Sequence, residues 1–94
     1  MDASRIISAL DSKLRIEILK ILAEKPNNVV GVLQKLRSKG LDARYRETVY
    51  RGLEKLADAE LVEKYYDKES GLCYKLTSDR FKIEIRRESV SIGT

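Results

Sequence analysis

The apolar residues of this chain change their period once, at Leu61. Before that point they recur every three to four positions; after it they alternate, so helices come first and strands second. Ile6, Ile7 and Leu10 mark a short opening helix. Leu14, Ile18, Ile21 and Leu22 mark a second, with Lys13, Glu17, Lys20 and Glu24 on its other side. Asp11 or Ser12 is placed to cap it, and Pro26 stops it, because the residue before a proline disfavours the α region. Asn27 and Asn28 can cap a third helix carrying Val30, Leu33 and Leu36, which Gly40 closes in the left-handed position after a helix. A fourth helix, about residues 45–59, sets Val49, Leu53 and Leu56 within about 60° of one another as a buried stripe. Arg44, Glu47, Arg51, Lys55 and Asp58 lie broadly opposite that stripe, and Tyr50 sits on its flank.

Past Leu61, two β-branched or aromatic runs flank Asp67-Lys68-Glu69-Ser70-Gly71, which predicts a hairpin over about residues 61–76. Cys73 alternates with Leu72 and Tyr74, so it is expected to face away from the hairpin's inner side. Phe81-Lys82-Ile83-Glu84-Ile85-Arg86 alternates strictly and reads as a further strand, with a helix capped by Ser78 or Asp79 as the competing reading. With Val90 and Ile92 it makes a C-terminal β extension over about residues 80–92. At 94 residues, two independent cores would each be too small to stand, so the expectation is a single domain over 1–94.

Several absences narrow the chemistry. The chain has no histidine and one cysteine, which removes an imidazole base, a thiolate metal site and an internal disulfide. No paired-carboxylate motif and no glycine-rich phosphate loop appear, so the chain is read as a binding module that is not an enzyme and needs no cofactor or metal. No apolar run reaches the ~18 residues of a membrane span, and the first residues lack the pattern of a secretory signal. A cytoplasmic protein with no membrane partner is expected.

The net charge of +4 is small, but it is not spread evenly. Residues 35–55 hold Lys35, Arg37, Lys39, Arg44, Arg46, Arg51 and Lys55 against Asp42, Glu47 and Glu54, which is the whole excess. A local basic cluster is the footprint expected where phosphates are met. A solvated helix face with internal ion pairs would produce the same composition.

Helix, helix, helix, charged helix, hairpin is the order of a winged helix-turn-helix, an α+β fold with a three-helix core and a β-hairpin wing. The residues carry a likeness as well. Thr48-Val49-Tyr50-Arg51-x-Leu53-Glu54-x-Leu56-x-x-Ala59-x-Leu61-Val62 resembles the recognition-helix segment of the ferric uptake regulator (Fur) family, and Leu36-Arg37-Ser38-Lys39-Gly40 resembles that family's segment upstream. PadR-like regulators share a shorter version around the tyrosine and arginine. Leu10-Asp11-Ser12-Lys13-Leu14-Arg15-Ile16 with Ile18-Leu19 is similar to ArsR-like regulators. The likeness spans roughly residues 10–77. Metal sensing does not carry over from the Fur family, since the histidines are missing, and thiolate sensing does not carry over with Cys73 alone. Glu60 stands where these families place glycine, so a turn there with φ > 0 would be strained.

What the resemblance implies is a sequence-specific, double-stranded-DNA-binding transcriptional regulator in which Tyr50 and Arg51 face DNA. Arg51 can donate bidentately to guanine or clamp a phosphate; the plainer role is an i,i+4 partner of Glu47. Tyr50 can meet a thymine methyl or a phosphate, or simply edge the core. Arg44, Tyr45, Arg46 and Thr48 open the helix where phosphate is favoured, and Lys55 lies further along it. Lys35, Arg37 and Lys39 belong to the preceding helix, and Lys68 to the wing. Winged helices of this size gain affinity by pairing, so a homodimer is expected. Ile6, Ile7 and Leu10, together with Phe81, Ile83 and Ile85, are the apolar residues left for its interface. The rival reading is a winged helix used for protein contact in a transcription or replication assembly, whose mark would be an apolar patch on the charged helix.

Overall fold

The structure, a computed structural model, describes residues 3–41 and 46–77. In chain order it contains α1 (Ala3–Leu10), α2 (Lys13–Glu24), β1 (Asn27–Asn28), α3 (Val29–Ser38), α4 (Arg46–Asp58), β2 (Val62–Asp67) and β3 (Gly71–Leu76). The expected C-terminal extension, Phe81, Ile83 and Ile85 included, lies outside the described residues, as do Arg44 and Tyr45.

The helix boundaries follow from side chains that satisfy their ends. Ser12 caps α2 by accepting from the Arg15 amide at 3.3 Å, and Lys25 turns extended ahead of Pro26. Arg15 also reaches back to close α1. Its guanidinium donates to the carbonyls of Ala9 at 2.6 Å, Ser8 at 3.2 Å and Asp11 at 3.4 Å. Asn28 caps α3 by accepting from the Gly31 amide at 2.8 Å.

Both helices at the centre of the fold stop in the same way. At the end of α3, Leu41 donates to the Leu36 carbonyl and Gly40 to that of Arg37, with Gly40 at φ 76°. At the end of α4, Leu61 donates to the Leu56 carbonyl and Glu60 to that of Ala57, with Glu60 at φ 63°. Each is a Schellman closure, and in each the left-handed residue is followed by a leucine that folds back over the last turn. Glu60 therefore occupies a conformation in which its Cβ crowds the backbone. Replacing Glu60 with glycine is expected to raise stability by about 0.5–1 kcal/mol, because the relief of ~1–2 kcal/mol exceeds glycine's extra freedom in the unfolded chain. A denaturant titration checks this, and a lower midpoint for the glycine variant would refute it.

The sheet has order β1-β3-β2 and is antiparallel throughout. Asn27 and Asn28 pair with Tyr74 and Cys73, while Tyr65 and Tyr66 pair with Cys73 and Leu72. The hairpin turn is held by Asp67, whose Oδ1 accepts from the amides of Glu69 at 2.8 Å and Ser70 at 3.1 Å, and by Gly71 at φ 75°. Thr77 then ties β3 back to the end of α4, donating its hydroxyl to the Glu60 carbonyl at 2.9 Å. Ile18, Val32, Leu36, Val49, Leu53, Leu56, Leu61 and Tyr74 are fully buried and form the centre of one core.

Three expectations need correction, and one residue is buried on the face expected for it. The pair Asn27-Asn28, read as a cap alone, is also a strand, because β3 has a free edge that accepts it. Val30 is exposed, and Val32 takes its place in the buried stripe of α3. Ile6 turns inward with Ala9 and belongs to the domain's own core, leaving Ile7 as an exposed apolar residue of α1. Cys73 does alternate with the core-facing Tyr74, yet it is buried. It sits in the central strand with Asn28 on one side and Tyr65 on the other, so neighbours cover it on both flanks.

Candidate nucleic-acid interface

The buried stripe of α4 fixes which of its residues face outward. With Val49, Gly52, Leu53 and Leu56 turned into the core, the residues Arg46, Glu47, Thr48, Tyr50, Arg51 and Lys55 are all exposed. Gly52 lets α4 lie close against α2, since a Cβ there would meet Ile18 Cδ1 at 3.1 Å. On the outward face Arg51 and Glu47 form an i,i+4 ion pair at 2.6 Å, both side chains at least 70% exposed. The plainer role considered for Arg51 is thus realised in the structure.

Across from the first turns of α4 stands the wing. Between them runs a cleft of about 640 Å³, floored by the start of α3 at Asn28–Val30. One wall is Arg46, Glu47 and Tyr50, and the other is Ser70, Gly71 and Leu72. Val30 and Tyr50 are two of the exposed large apolar residues, and both line this cleft. Tyr66, 83% exposed and opposite Leu72 in the hairpin register, stands beside it. Lys68 is exposed in the wing turn.

The wing is held to α4 by Glu54, the one carboxylate of that helix that is half-buried. Its Oε2 accepts from the Tyr74 hydroxyl at 2.7 Å and its Oε1 from Lys64 Nζ at 3.0 Å. Burial pushes the Glu54 carboxyl up, but the two hydrogen bonds and the Lys64 charge outweigh it and hold the group below its ordinary value. Burial, together with the Glu54 charge and hydrogen bond, drives the Tyr74 phenol strongly upward. The phenol therefore stays a donor at any ordinary pH. On the outer face of the sheet Lys75 lies over the Tyr65 ring, 5.6 Å from its centre.

The structure brings Arg46 and Tyr50 to one cleft with the wing. It does not bring the basic residues of α3 there. Lys35, Arg37 and Lys39 are exposed but belong to the opposite end of α3, roughly 10 Å along the helix from the cleft. Lys39 lies 3.9 Å from Glu17 of α2. Sequence reasoning missed Glu54 and Asn28 as organisers of this region, because their partners Tyr74 and Ser70 are far away in the chain. Among the described residues, no group of three or more acidic, cysteine or histidine side chains could hold a metal ion. No helix among them is long and apolar enough to cross a membrane.

No family model matches the chain, and no curated protein matches it. The Fur-like segment thus gains no support from either comparison. Among solved structures, the chain is similar to the homodimeric winged helix-turn-helix DNA-binding domain of a possible ArsR-family transcriptional regulator from Mycobacterium bovis, determined by solution NMR. The TM-score is 0.72 at 20% sequence identity, covering 90% of this chain and 75% of that one. The fold is a winged helix-turn-helix.

Proposed function

We propose that this chain is a sequence-specific regulator of transcription that binds double-stranded DNA as a homodimer, with α4 in the major groove. The reading treats residues 1–94 as one non-enzymatic, cytoplasmic domain. The observation that carries it is the outward face of α4, where Arg46, Thr48, Tyr50, Arg51 and Lys55 are all exposed in the stretch that holds the chain's charge excess, with Arg46 and Tyr50 in the cleft beside the wing. Exposed cations in excess over acids favour phosphate, and a helix of this kind fits the major groove. The solved domain to which the chain is similar is described as homodimeric and DNA-binding, which supports both halves of the reading.

Within it, Arg46 and Thr48 meet phosphates at the start of α4, and Arg44 and Tyr45 are assigned to the same edge. Tyr50 and Arg51 read bases, while Lys55 and Lys68 meet flanking phosphates. Lys35, Arg37 and Lys39 meet the backbone from the far end of α3. The dimer contact draws on Ile7, which is 60% exposed, and on Leu10 at its side; Phe81, Ile83 and Ile85 are its proposed second part. Ile6 supports that surface from within.

A filter-binding titration on random-sequence duplex across a range of salt tests the reading. Binding should weaken with salt, with a log–log slope of about −0.9 for each phosphate neutralised. Selection from the same pool should return a symmetric site whose halves lie about one helical turn apart. Absent or salt-insensitive binding would sink the proposal. Val30 on the cleft floor and Tyr50 on its wall favour one other reading, a protein-binding module, and that outcome would promote it.

A further inference from the structure

Beyond the tie from Thr77 to the Glu60 carbonyl, two side chains fasten the wing to the helical body, one near its base and one at its tip. At the base stands Glu54, holding Tyr74 of β3 and Lys64 of β2. At the tip stands Asn28. Its Oδ1 accepts from the Gly31 amide, while its Nδ2 donates to the Ser70 carbonyl in the wing turn at 3.1 Å, 42 residues away. One side chain thus starts α3 and holds the turn of the hairpin. Between the two fasteners the hairpin has little other support near its end. Among the described residues, only Asn27 and Asn28 pair with the inner edge of β3, and Tyr66, Asp67, Lys68 and Glu69 are exposed. A two-stranded ribbon left to itself is marginal in water.

We propose that Asn28 and Glu54 are positioning residues that set the wing at a fixed distance from α4, so that the cleft meets a DNA strand as one preformed surface. The proposal rests on the DNA-binding reading above. A wing that had to be ordered on binding would lose affinity through the entropy of that ordering, and a fastened wing does not. Asn28 acts through Ser70 and Glu54 through Tyr74 and Lys64. The paired arrangement explains why an acidic residue lies within the most basic stretch of the chain. Its charge is engaged by Lys64 and the Tyr74 hydroxyl on the wing side of α4.

The tip fastener can be tested apart from the helix cap. An aspartate at position 28 still caps α3, and its charge suits a helix N-terminus. It has no proton to give Ser70, however, and sets a carboxylate against that carbonyl. The experiment uses the full chain as wild type and Asn28→Asp. Backbone relaxation and residual dipolar couplings are measured on the free proteins, and affinity is measured on random-sequence duplex. In the wild type the hairpin and α4 should share one alignment. In Asn28→Asp the order parameters of Ser70, Gly71 and Leu72 should fall from about 0.85 to below about 0.6, with α3 and α4 unchanged. Duplex affinity should fall about five-fold.

A hairpin as ordered in the variant as in the wild type overturns the proposal, and so does a loosened hairpin with unchanged duplex affinity. Failure of the wild type to bind any duplex refutes the DNA-binding reading itself, and is seen without the variant. Should Asn28→Asp fail to fold, Asn28→Ser replaces it, since serine also caps but is too short to reach the wing.

Discussion

Replacing Glu54 with alanine is expected to lower the free energy of unfolding by about 1–3 kcal/mol, chiefly because it strands a buried hydroxyl. Tyr74 is fully buried, and its hydroxyl donates to Glu54 at 2.7 Å. Without the carboxylate that donor sits in the protein interior with its acceptor gone. Lys64 contributes less, because its ammonium is exposed and returns to water. Two companion variants separate the effects. Tyr74→Phe removes the donor together with its need for a partner, so it should cost less than Glu54→Ala. Glu54→Gln keeps an acceptor for the hydroxyl and should recover most of the loss.

The pH dependence has a definite sign. The carboxyl of Glu54 is held below the ordinary glutamate value of 4.5 in the folded chain. A depressed value means that the folded state binds the proton less readily than the unfolded state. The advantage of wild type over Glu54→Gln is therefore complete above pH 4.5 and disappears as pH falls through the lowered value. Urea titrations of both proteins between pH 7 and pH 3 would show two curves converging at the acid end. Curves that diverge there would refute the assignment.

The second large effect concerns Arg51. Its loss to alanine is expected to weaken binding to the selected duplex by about 1–3 kcal/mol if the guanidinium reads a base. In the free protein that guanidinium is paired with Glu47 at 2.6 Å, on a face where both side chains are open to water. Exposed pairs of this kind hold a helix by a few tenths of a kcal/mol at most. The pair is thus weak enough to be exchanged for a guanine or a phosphate. Glu47→Ala supplies the opposite sign, since it releases Arg51 and removes a negative charge from the face proposed to meet DNA. Affinity should rise for Glu47→Ala and fall for Arg51→Ala, and the double variant should resemble Arg51→Ala. Equal affinities for wild type and Arg51→Ala would leave Arg51 as the ion-pair partner of Glu47 and nothing more.

The parts of this fold that could be read from the chain are those governed by neighbours in sequence. The stripe Val49, Leu53, Leu56 needs only the pitch of one helix. Gly40 closes α3 because a left-handed residue after a helix is a local requirement, and Glu60 shows the same requirement met by a residue that resists it. The hairpin was legible from its turn, where Asp67 and Gly71 solve a problem five residues long. What stayed hidden depends on partners far away. Two asparagines have no alternation to betray a strand, and they pair only because β3 arrives beside them. The burial of Cys73 follows from β3 having a strand on each side, a fact of topology. Glu54 looked like one more charge on a solvated helix until Tyr74 was brought beneath it. Thus the elements were local and the cleft was not.

Arg15 gives α1 a place in the order of assembly. Eight residues are too few to persist as a lone helix in water. The carbonyls at the end of α1 are satisfied by a guanidinium carried on α2. So α1 forms only once α2 exists, and its amides should exchange with solvent together, as a unit less protected than α2 or α4. Ile7 projects from this helix, beside the Ile6 and Ala9 that hold it to the core. Were it the seat of pairing between two chains, association and the ordering of α1 would be one linked step, and dilution would open α1 before it touched the rest of the domain.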